Sequence, residues 1–451
     1  MTARDEALEI LDRMGQRLSF QDRILEKRFN GSPDLTDRDR AFIMNLVKGV
    51  LRWRLRLDWI IKQHVKFSFD KIDPTVLNIL RLALCQIFFF DRVPQSAAVD
   101  EAVKQAKATS RKHVVGFVNG ILRHICREKE RIPFPDRKND LVNYLSTFYS
   151  YPVWLVEKWT SELGDHSTER LLAAGNRIPR LVIRTNSLKV DRPGLIRCLR
   201  QEGIEATPTS FSPEGLTINT LTGPVHRLDS FKKGLFQVQD EPAQIVSHLL
   251  SPAPKDRVLD LCSGLGGKST HLAELIGREG TVFSIDIHHA RLLGLIENMN
   301  RLRISNIRPV RADASQNIPL LLGQPFEKIL VDVPCSALGT ISRHPDAKWG
   351  RDKNDLKRIS LIQLKILEQA APLLAEGGRM LYVTCTISRD ENEEVVRDFL
   401  AKNREMTLLD LRNYIPEWGR DLVDKGGFFR TLPHIHDMDG FFGALFSKTG
   451  C

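Results

Sequence analysis

Three textures of hydrophobic and polar positions follow one another along the chain. Through about residue 135, apolar positions recur at helical spacing. Phe42, Leu46, Val50, Trp53 and Leu57 fall on one face of a segment opened by Thr36 with Asp39 three residues on. Asp73-Pro74 supplies an N-cap and a first-turn proline for the next helix. The stretches VPQSAAVDEAVKQAK and GFVNGILRHI supply two more. No segment of strand period interrupts them, so residues 1–135 read as an all-α domain. The charged, proline-containing stretch ERIPFPDRKND (130–140) reads as a linker. Over 141–235, short helices (PVWLVEKW, PGLIRCLRQEG) mix with short strands (LVIRTN, GLTINT), which predicts a small α/β subdomain.

From residue 236 to 451 the pattern changes again. Near-continuous apolar runs, RVLDLC, TVFSID, IRPVRAD, KILVDV and RMLYVTC, alternate with helical segments, and GFFGALFSK reads as a terminal strand. Strands apolar on both faces and separated by helices predict a mainly parallel sheet covered on both sides. In such a doubly wound α/β domain, ligands collect at the carboxyl ends of the strands.

Composition changes this picture little. A length of 451 residues suits two to three domains, and 42% hydrophobic with 27% charged residues is ordinary for a globular protein. The formal charge of +10 suggests a polyanionic partner. Arg38, Arg40, Lys48, Arg52, Arg54 and Arg56 surround the long helix, with Arg111 and Lys112 in a later loop. A solvated basic face and an RNA-backbone contact explain them equally well. On the second reading, reversing the charges of Arg52, Arg54 and Arg56 weakens RNA binding. The seven cysteines are scattered without a CxxC pair, which argues against a disulfide framework or a zinc site and for a reducing, cytoplasmic setting. MTARDEALEILDRM is an acidic amphipathic helix and no signal peptide. Val76 to Phe90, broken by Asn78, Arg81 and Gln86, is too short to span a bilayer and reads as a core helix.

The candidate chemistry lies at the strand ends. DLCSGLGGKSTHLAEL (260–275) places Gly264, Gly266 and Gly267 between a strand and a helix N-terminus, where a ligand can approach closely. The turn is neither a clean GxGxxG nor a Walker loop, and nicotinamide enzymes use similar turns. Asp286 ends the second strand, where a carboxylate can take both ribose hydroxyls of a nucleoside-containing cofactor. Asp313 ends the third and could face an adenine, and Asp332 ends the fourth. Cys335 and Cys385 follow the fourth and fifth apolar runs. If those strands are neighbours they stand about 4.8 Å apart, and both thiols face the same crevice. Ser388 with Glu391 reads as a capping box, so Cys385 precedes a helix N-terminus that favours a thiolate. Such a thiolate needs an electrophile. Addition at C6 of a pyrimidine makes C5 an enamine carbon able to accept a methyl group.

In these stretches, and in DVPCSALGTISRHPDAKW, YVTCTISRDENEE, LPHIHDMDGFF, RTNSLK and FQVQDEPAQ, the chain resembles the RNA cytosine-C5 methyltransferases. Its N-terminal third, with LTDRDRAFIMNLVKGVLRW, VPQSAAVDEAVKQAK and GFVNGILRH, resembles the NusB-type RNA-binding domain. The pairing points to the bacterial RsmB/Sun group, and the resemblance covers nearly the whole chain. It implies an all-α NusB-like domain, a small α/β subdomain and a doubly wound class I (Rossmann-like) S-adenosylmethionine-dependent methyltransferase domain. It implies S-adenosylmethionine in the turn Cys262, Ser263, Gly264, Leu265, Gly266, Gly267 and Lys268, with Asp286, Asp313 and Asp332 completing the site and no metal. Cys385 would be the nucleophile on C6, Cys335 would assist loss of the C5 proton and product release, and Asp332 would also hold the cytosine N3 edge. The implied partner of this cytoplasmic, non-membrane monomer is 16S rRNA, free or partly assembled, with cytosine-967 as target. The turn departs from the family in reading Ser-Gly-Leu where Ala-Ala-Pro is usual, and Ser342 stands where a second arginine is common. DNA cytosine methyltransferases use the Pro-Cys thiol and have no reason to carry Thr-Cys as well. A dehydrogenase leaves both cysteines unexplained. A NusB-like binding protein with an inactive methyltransferase remnant should have lost some of this set.

Overall fold

The computed structural model describes every residue except 1, 17–23, 26–27, 30, 32–33, 110–111, 222, 317, 319–323 and 449–451. Arg111 and Cys451 therefore lie outside the described residues. The chain divides into two compact units, one of residues 1–177 with 341–350, the other of 178–340 with 351–451.

The first unit holds helices α1 (Ala3–Gln16), α2 (Asp37–His64), α3 (Pro74–Phe89), α4 (Gln95–Thr109), α5 (Lys112–Glu128), α6 (Leu141–Tyr149), α7 (Val153–Leu163) and α8 (Asp165–Gly175). Thr36 and Asp39 form the expected capping box on α2, and the Asp73 carboxylate caps α3 by accepting from Thr75 N and Val76 N. Apolar faces of α2 (Ile43, Leu46, Val50, Leu57), α3 (Ile79, Leu80, Leu84) and α5 (Val118, Leu122, Ile125) close on one core. By contact the helical unit runs past the linker through α6 to α8, the first part of the 141–235 stretch expected as a small α/β subdomain. Among the described residues, no helix is long and apolar enough to cross a membrane.

Three of the arginines expected on a basic face, whether solvated or in contact with RNA phosphates, point elsewhere. Arg52 is 7% exposed and donates to the Ser342 carbonyl at 2.7 Å. Arg56 lies 4.4 Å from the Phe148 ring centroid and 5.1 Å from that of Phe134, and donates to Phe148 O. Arg54 lies 5.6 Å from the Trp349 ring. Burial pushes all three guanidinium pKa values down. A guanidinium is weakly hydrated and stacks on aromatic faces, which is why it tolerates this interior position. Arg38, Lys112, Arg123 and Arg127 do remain exposed. The segment 341–350 is packed into the same unit. Lys348 is fully buried there, its amine donating to Arg52 O, Ser150 O and Asn176 Oδ1 at 2.7, 2.9 and 3.2 Å.

The second unit begins with β1 (Leu181–Thr185), α9 (Arg192–Gln201), β2 (Ala206–Pro208), β3 (Gly215–Ile218) and β4 (Phe236–Val238). These strands form an antiparallel sheet in the order β2-β3-β1-β4, with Ile183, Leu216 and Phe236 packed against Leu195 and Leu199 of α9. Next come α10 (Glu241–Leu249), β5 (Arg257–Leu261), α11 (Gly267–Ile276), β6 (Thr281–Asp286), α12 (His289–Leu302), β7 (Ile307–Arg311) and β8 (Phe326–Asp332). The chain ends with α13 (Lys353–Ala370), β9 (Leu374–Thr384), α14 (Glu393–Lys402), β10 (Met406–Leu409), β11 (Phe429–Arg430) and β12 (Phe442–Lys448). The large sheet runs β10-β12-β9-β8-β5-β6-β7, parallel from β9 to β7, with β12 antiparallel to both its neighbours.

Alternate residues of the parallel strands feed two separate cores. Val258, Val282 and Leu330 pack with Leu272, Ile276 and Leu295 on one face. Leu259, Ile285 and Ile329 pack with Leu367 and Phe399 on the other. Burial on both faces is what made these runs continuously apolar. From β5 the chain winds outward through β6 and β7, then returns to place β8 on the other side of β5. That reversal leaves a crevice at the carboxyl ends of β5 and β8.

Candidate active site at the sheet switch point

After β5 the backbone turns sharply, with positive φ at Cys262, Gly264 and Gly266. At Gly266 a Cβ would meet Leu295 Cδ1 at 2.1 Å, so only glycine lets the turn rest on α12. At Gly264 a Cβ would meet nothing within 4 Å, which marks the open side of the turn. Leu265 is likewise exposed, and Gly267 starts α11. Ser263 N continues the ladder by donating to Ile285 O.

Asp286 accepts from Gly264 N at 3.0 Å through Oδ2 and from His288 N at 2.7 Å through Oδ1. It is 3% exposed. Asp286 thus ties the loops after β5 and β6 together while lining the turn. Asp313 accepts from Ser315 N and Ser315 Oγ, fixing the loop after β7. Asp332 pairs with Lys268 at 2.8 Å. Asp260, beneath the turn, accepts from Ser269 Oγ while its Oδ1 has no partner. Burial pushes its carboxyl pKa up to about 7. Burial, and then the charges of Asp332, Asp286, Asp260 and Asp313, push the Cys262 thiol well up. All the turn residues and strand-end carboxylates singled out from the sequence thus converge on one place. Four carboxyls face Lys268 and, 3.5 Å from Asp286, Arg291 there, a surplus of acid that suits a ligand carrying positive charge.

The neighbouring strands expected from the winding are observed, since β8 and β9 pair in parallel with Asp332 opposite Val383. Beyond their ends the Cys335 and Cys385 sulfurs approach to 3.1 Å. The two loops are closely fitted. Gly339 N donates to Cys385 O, and a Cβ on Gly339 would lie 1.9 Å from Gly440 O. The contact with Cys385, followed by burial, raises the Cys335 pKa. Burial works against the charge on Lys268, and Asp332 outweighs it, raising the Lys268 pKa.

The capping box read at Ser388 and Glu391 is not formed. Helix α14 starts only at Glu393, and Ser388 Oγ donates to Asp390 Oδ2. Only a single 3-10 turn, Arg389–Glu391, follows Cys385 before α14, and Lys268 supplies the neighbouring positive charge. Glu391 turns inward and is fully buried. Its Oε2 accepts from Ser336 N at 2.8 Å and Gln363 Nε2 at 3.1 Å, and its Oε1 from Ser336 Oγ and from Thr386 Oγ1 at 3.2 Å. Ser336 and Thr386 each directly follow a cysteine, so one carboxylate fastens both cysteine loops. Tyr382 OH donates to Glu391 O and so fixes the main chain. The sequence offered no signal to tell this acid from first-turn helix acids.

Three family models match the chain. One described as 16S rRNA methyltransferase RsmB/F covers residues 247–447, the NusB family covers 1–127, and an RsmF/B-like ferredoxin-like domain covers 151–225. A Bacillus subtilis protein named "Probable ribosomal RNA small subunit methyltransferase B" is 34% identical over 450 residues, 100% of this chain and 99% of that protein. The Yersinia enterocolitica "Ribosomal RNA small subunit methyltransferase B" is 33% identical over 415 residues, 92% of each chain. The crystal structure of PH0851 is 28% identical, with a TM-score of 0.80 over 98% of this chain and 97% of that one.

Proposed function

The chain belongs to the RsmB/F family of S-adenosylmethionine-dependent 16S rRNA methyltransferases, and from that premise we propose that it methylates C5 of a cytidine, by family likeness cytosine-967, through a bond from Cys385 to C6. The observation that carries this reading is the 3.1 Å contact of the Cys335 and Cys385 sulfurs beside Lys268. Of the two thiols, family likeness makes the Thr-Cys one the nucleophile, in keeping with the raised pKa of Cys335.

S-adenosylmethionine supplies an electrophilic methyl group on a cationic sulfur, and its positive charge fits the acid-rich turn. The residues that would hold it are Cys262 to Lys268, Asp286, Asp313 and Asp332. Cys385 adds its sulfur to C6, and the electron pair of the C5–C6 double bond moves to C5, which takes the methyl. Cys335 then assists loss of the C5 proton, the double bond re-forms, and the C6–S bond breaks to free Cys385. The base must first leave its stack, at a cost of a few kcal/mol that is least in loops or mismatched RNA. Lys268, held by Asp332, stays next to the sulfur that is released. The helical unit would contact RNA through exposed cations such as Arg38, Lys112, Arg123 and Arg127.

Mapping 5-methylcytosine in 16S rRNA from a strain lacking this protein tests the assignment. One cytidine should lose its methyl group and regain it when the wild-type gene is restored. An unchanged 5-methylcytosine map, with a different methylated nucleotide lost, would refute the C5 chemistry.

A further inference from the structure

A second cluster of ligand-type side chains stands apart from the cysteine loops. It joins Glu214, just before β3, with His248 of α10 and His271 of α11. We propose that these three residues bind a divalent transition metal, with zinc the best fit, and so pin the small antiparallel sheet to α10 and α11.

The spacing is the first support. One ligand atom from each residue lies within 4.8 Å of the others. Glu214 Oε2 is 3.0 Å from His248 Nε2 and 3.9 Å from His271 Nε2. Zinc bonds of about 2.0–2.2 Å in tetrahedral array set ligand atoms roughly 3.3 Å apart, between those two values. Two imidazoles and a carboxylate form a zinc-type ligand set that leaves one position for water.

The second support is His271 itself. It is 1% exposed, and neither ring nitrogen has a hydrogen-bond partner. Buried polar groups are rarely left so. An ion pair of His248 with Glu214 would account for those two residues and leave the third unexplained. The Trp418 ring, 5.4 Å from that of His248, packs against the cluster. No CxxC-like spacing marks the site, because its ligands come from three separate elements. His271 lies one turn along α11 from Lys268, so a metal here would steady the helix that opens at the glycine turn.

The test uses the full chain, stripped with a chelator and then titrated with zinc alone or cobalt(II) alone. The expected result is one zinc per chain by elemental analysis and a raised melting temperature. Cobalt should give visible bands of a four-coordinate ion without the intense near-ultraviolet absorption of thiolate ligation. His248→Ala, at the more exposed ligand, should lose metal and the melting shift together while remaining folded, and His271→Leu should do the same. Cys385→Ser should still bind one zinc. The proposal is overturned if the stripped protein takes up no zinc, if zinc leaves the melting temperature unmoved, if the histidine variants bind as the parent does, or if Cys385→Ser abolishes binding.

Discussion

Replacing Glu391 probes how far the cysteine pair depends on its support. The carboxylate is fully buried and accepts from Ser336 N, Ser336 Oγ, Thr386 Oγ1 and Gln363 Nε2. Glu391→Ala removes the shared acceptor and opens a void. An unsatisfied buried donor costs about 1–3 kcal/mol, but one hydroxyl can donate to the other across their 2.9 Å contact, and Gln363 Nε2 still donates to Pro334 O at 3.0 Å. That leaves Ser336 N and one hydroxyl as the uncompensated groups, so with the void the loss should be about 3–5 kcal/mol. Glu391→Gln is different. Its carbonyl oxygen can take the place of Oε2, and its amide nitrogen can donate to the two hydroxyls once they rotate. It should therefore keep most of the stability. Misplacing a reacting group by about 1 Å can cost on the order of 100-fold in rate. Single-turnover methyl transfer to rRNA, alongside thermal melting and cofactor calorimetry, reads all of this. Glu391→Ala should melt lower and transfer about 100-fold more slowly with cofactor affinity unchanged, and Glu391→Gln should recover most of both losses. An alanine variant with parental melting and rate would show that the carboxylate does not hold the loops.

Three further outcomes follow from buried charge. Asp260 has a folded pKa of about 7 against an ordinary 3.8, so folding is favoured below pH 4 and that contribution is lost as pH rises to about 7. Up to roughly 4 kcal/mol is involved at 1.36 kcal/mol per pH unit. Asp260→Asn should therefore gain melting temperature over the parent between pH 5 and pH 7.5, and parallel pH profiles would contradict the assignment. Asp286→Ala should weaken S-adenosylmethionine binding at least about tenfold and cost about 1–3 kcal/mol of stability, because two main-chain N–H groups lose their acceptor. Unaltered cofactor affinity in calorimetry would place the cofactor elsewhere. Arg56→Glu should lower the melting temperature, since a carboxylate replaces a cation enclosed by Phe134 and Phe148. Normal melting with a flattened salt dependence of RNA binding would return Arg56 to the RNA face.

Much of this architecture could be read from the chain because burial on both faces leaves a continuous apolar signature. β5, β6, β8 and β9 each carry it, and the glycine turn and the two cysteines sit directly at strand ends. The short strands β10 and β11, by contrast, have too few residues to show a period. Arg56 was misread because charge spacing along α2 says nothing of Phe134 and Phe148, which reach it from later in the chain. Glu391 was misread for a related reason. Ser-x-x-Glu ahead of an apolar run marks a capping box only if the helix starts there, and here the α-helix starts four residues later, at Glu393, with the carboxylate turned inward. The Glu214, His248 and His271 cluster was invisible because no local spacing joins three elements.

The central claim is that Cys385 bonds to the base and Cys335 serves its release. Incubating each cysteine variant with rRNA and S-adenosylmethionine, then running denaturing electrophoresis, tests this most directly. Cys335→Ala should accumulate a protein–RNA adduct that survives denaturation, and Cys385→Ala should form no adduct and transfer no methyl group. An adduct lost in Cys335→Ala and kept in Cys385→Ala would contradict the account and make the Pro-Cys thiol the nucleophile.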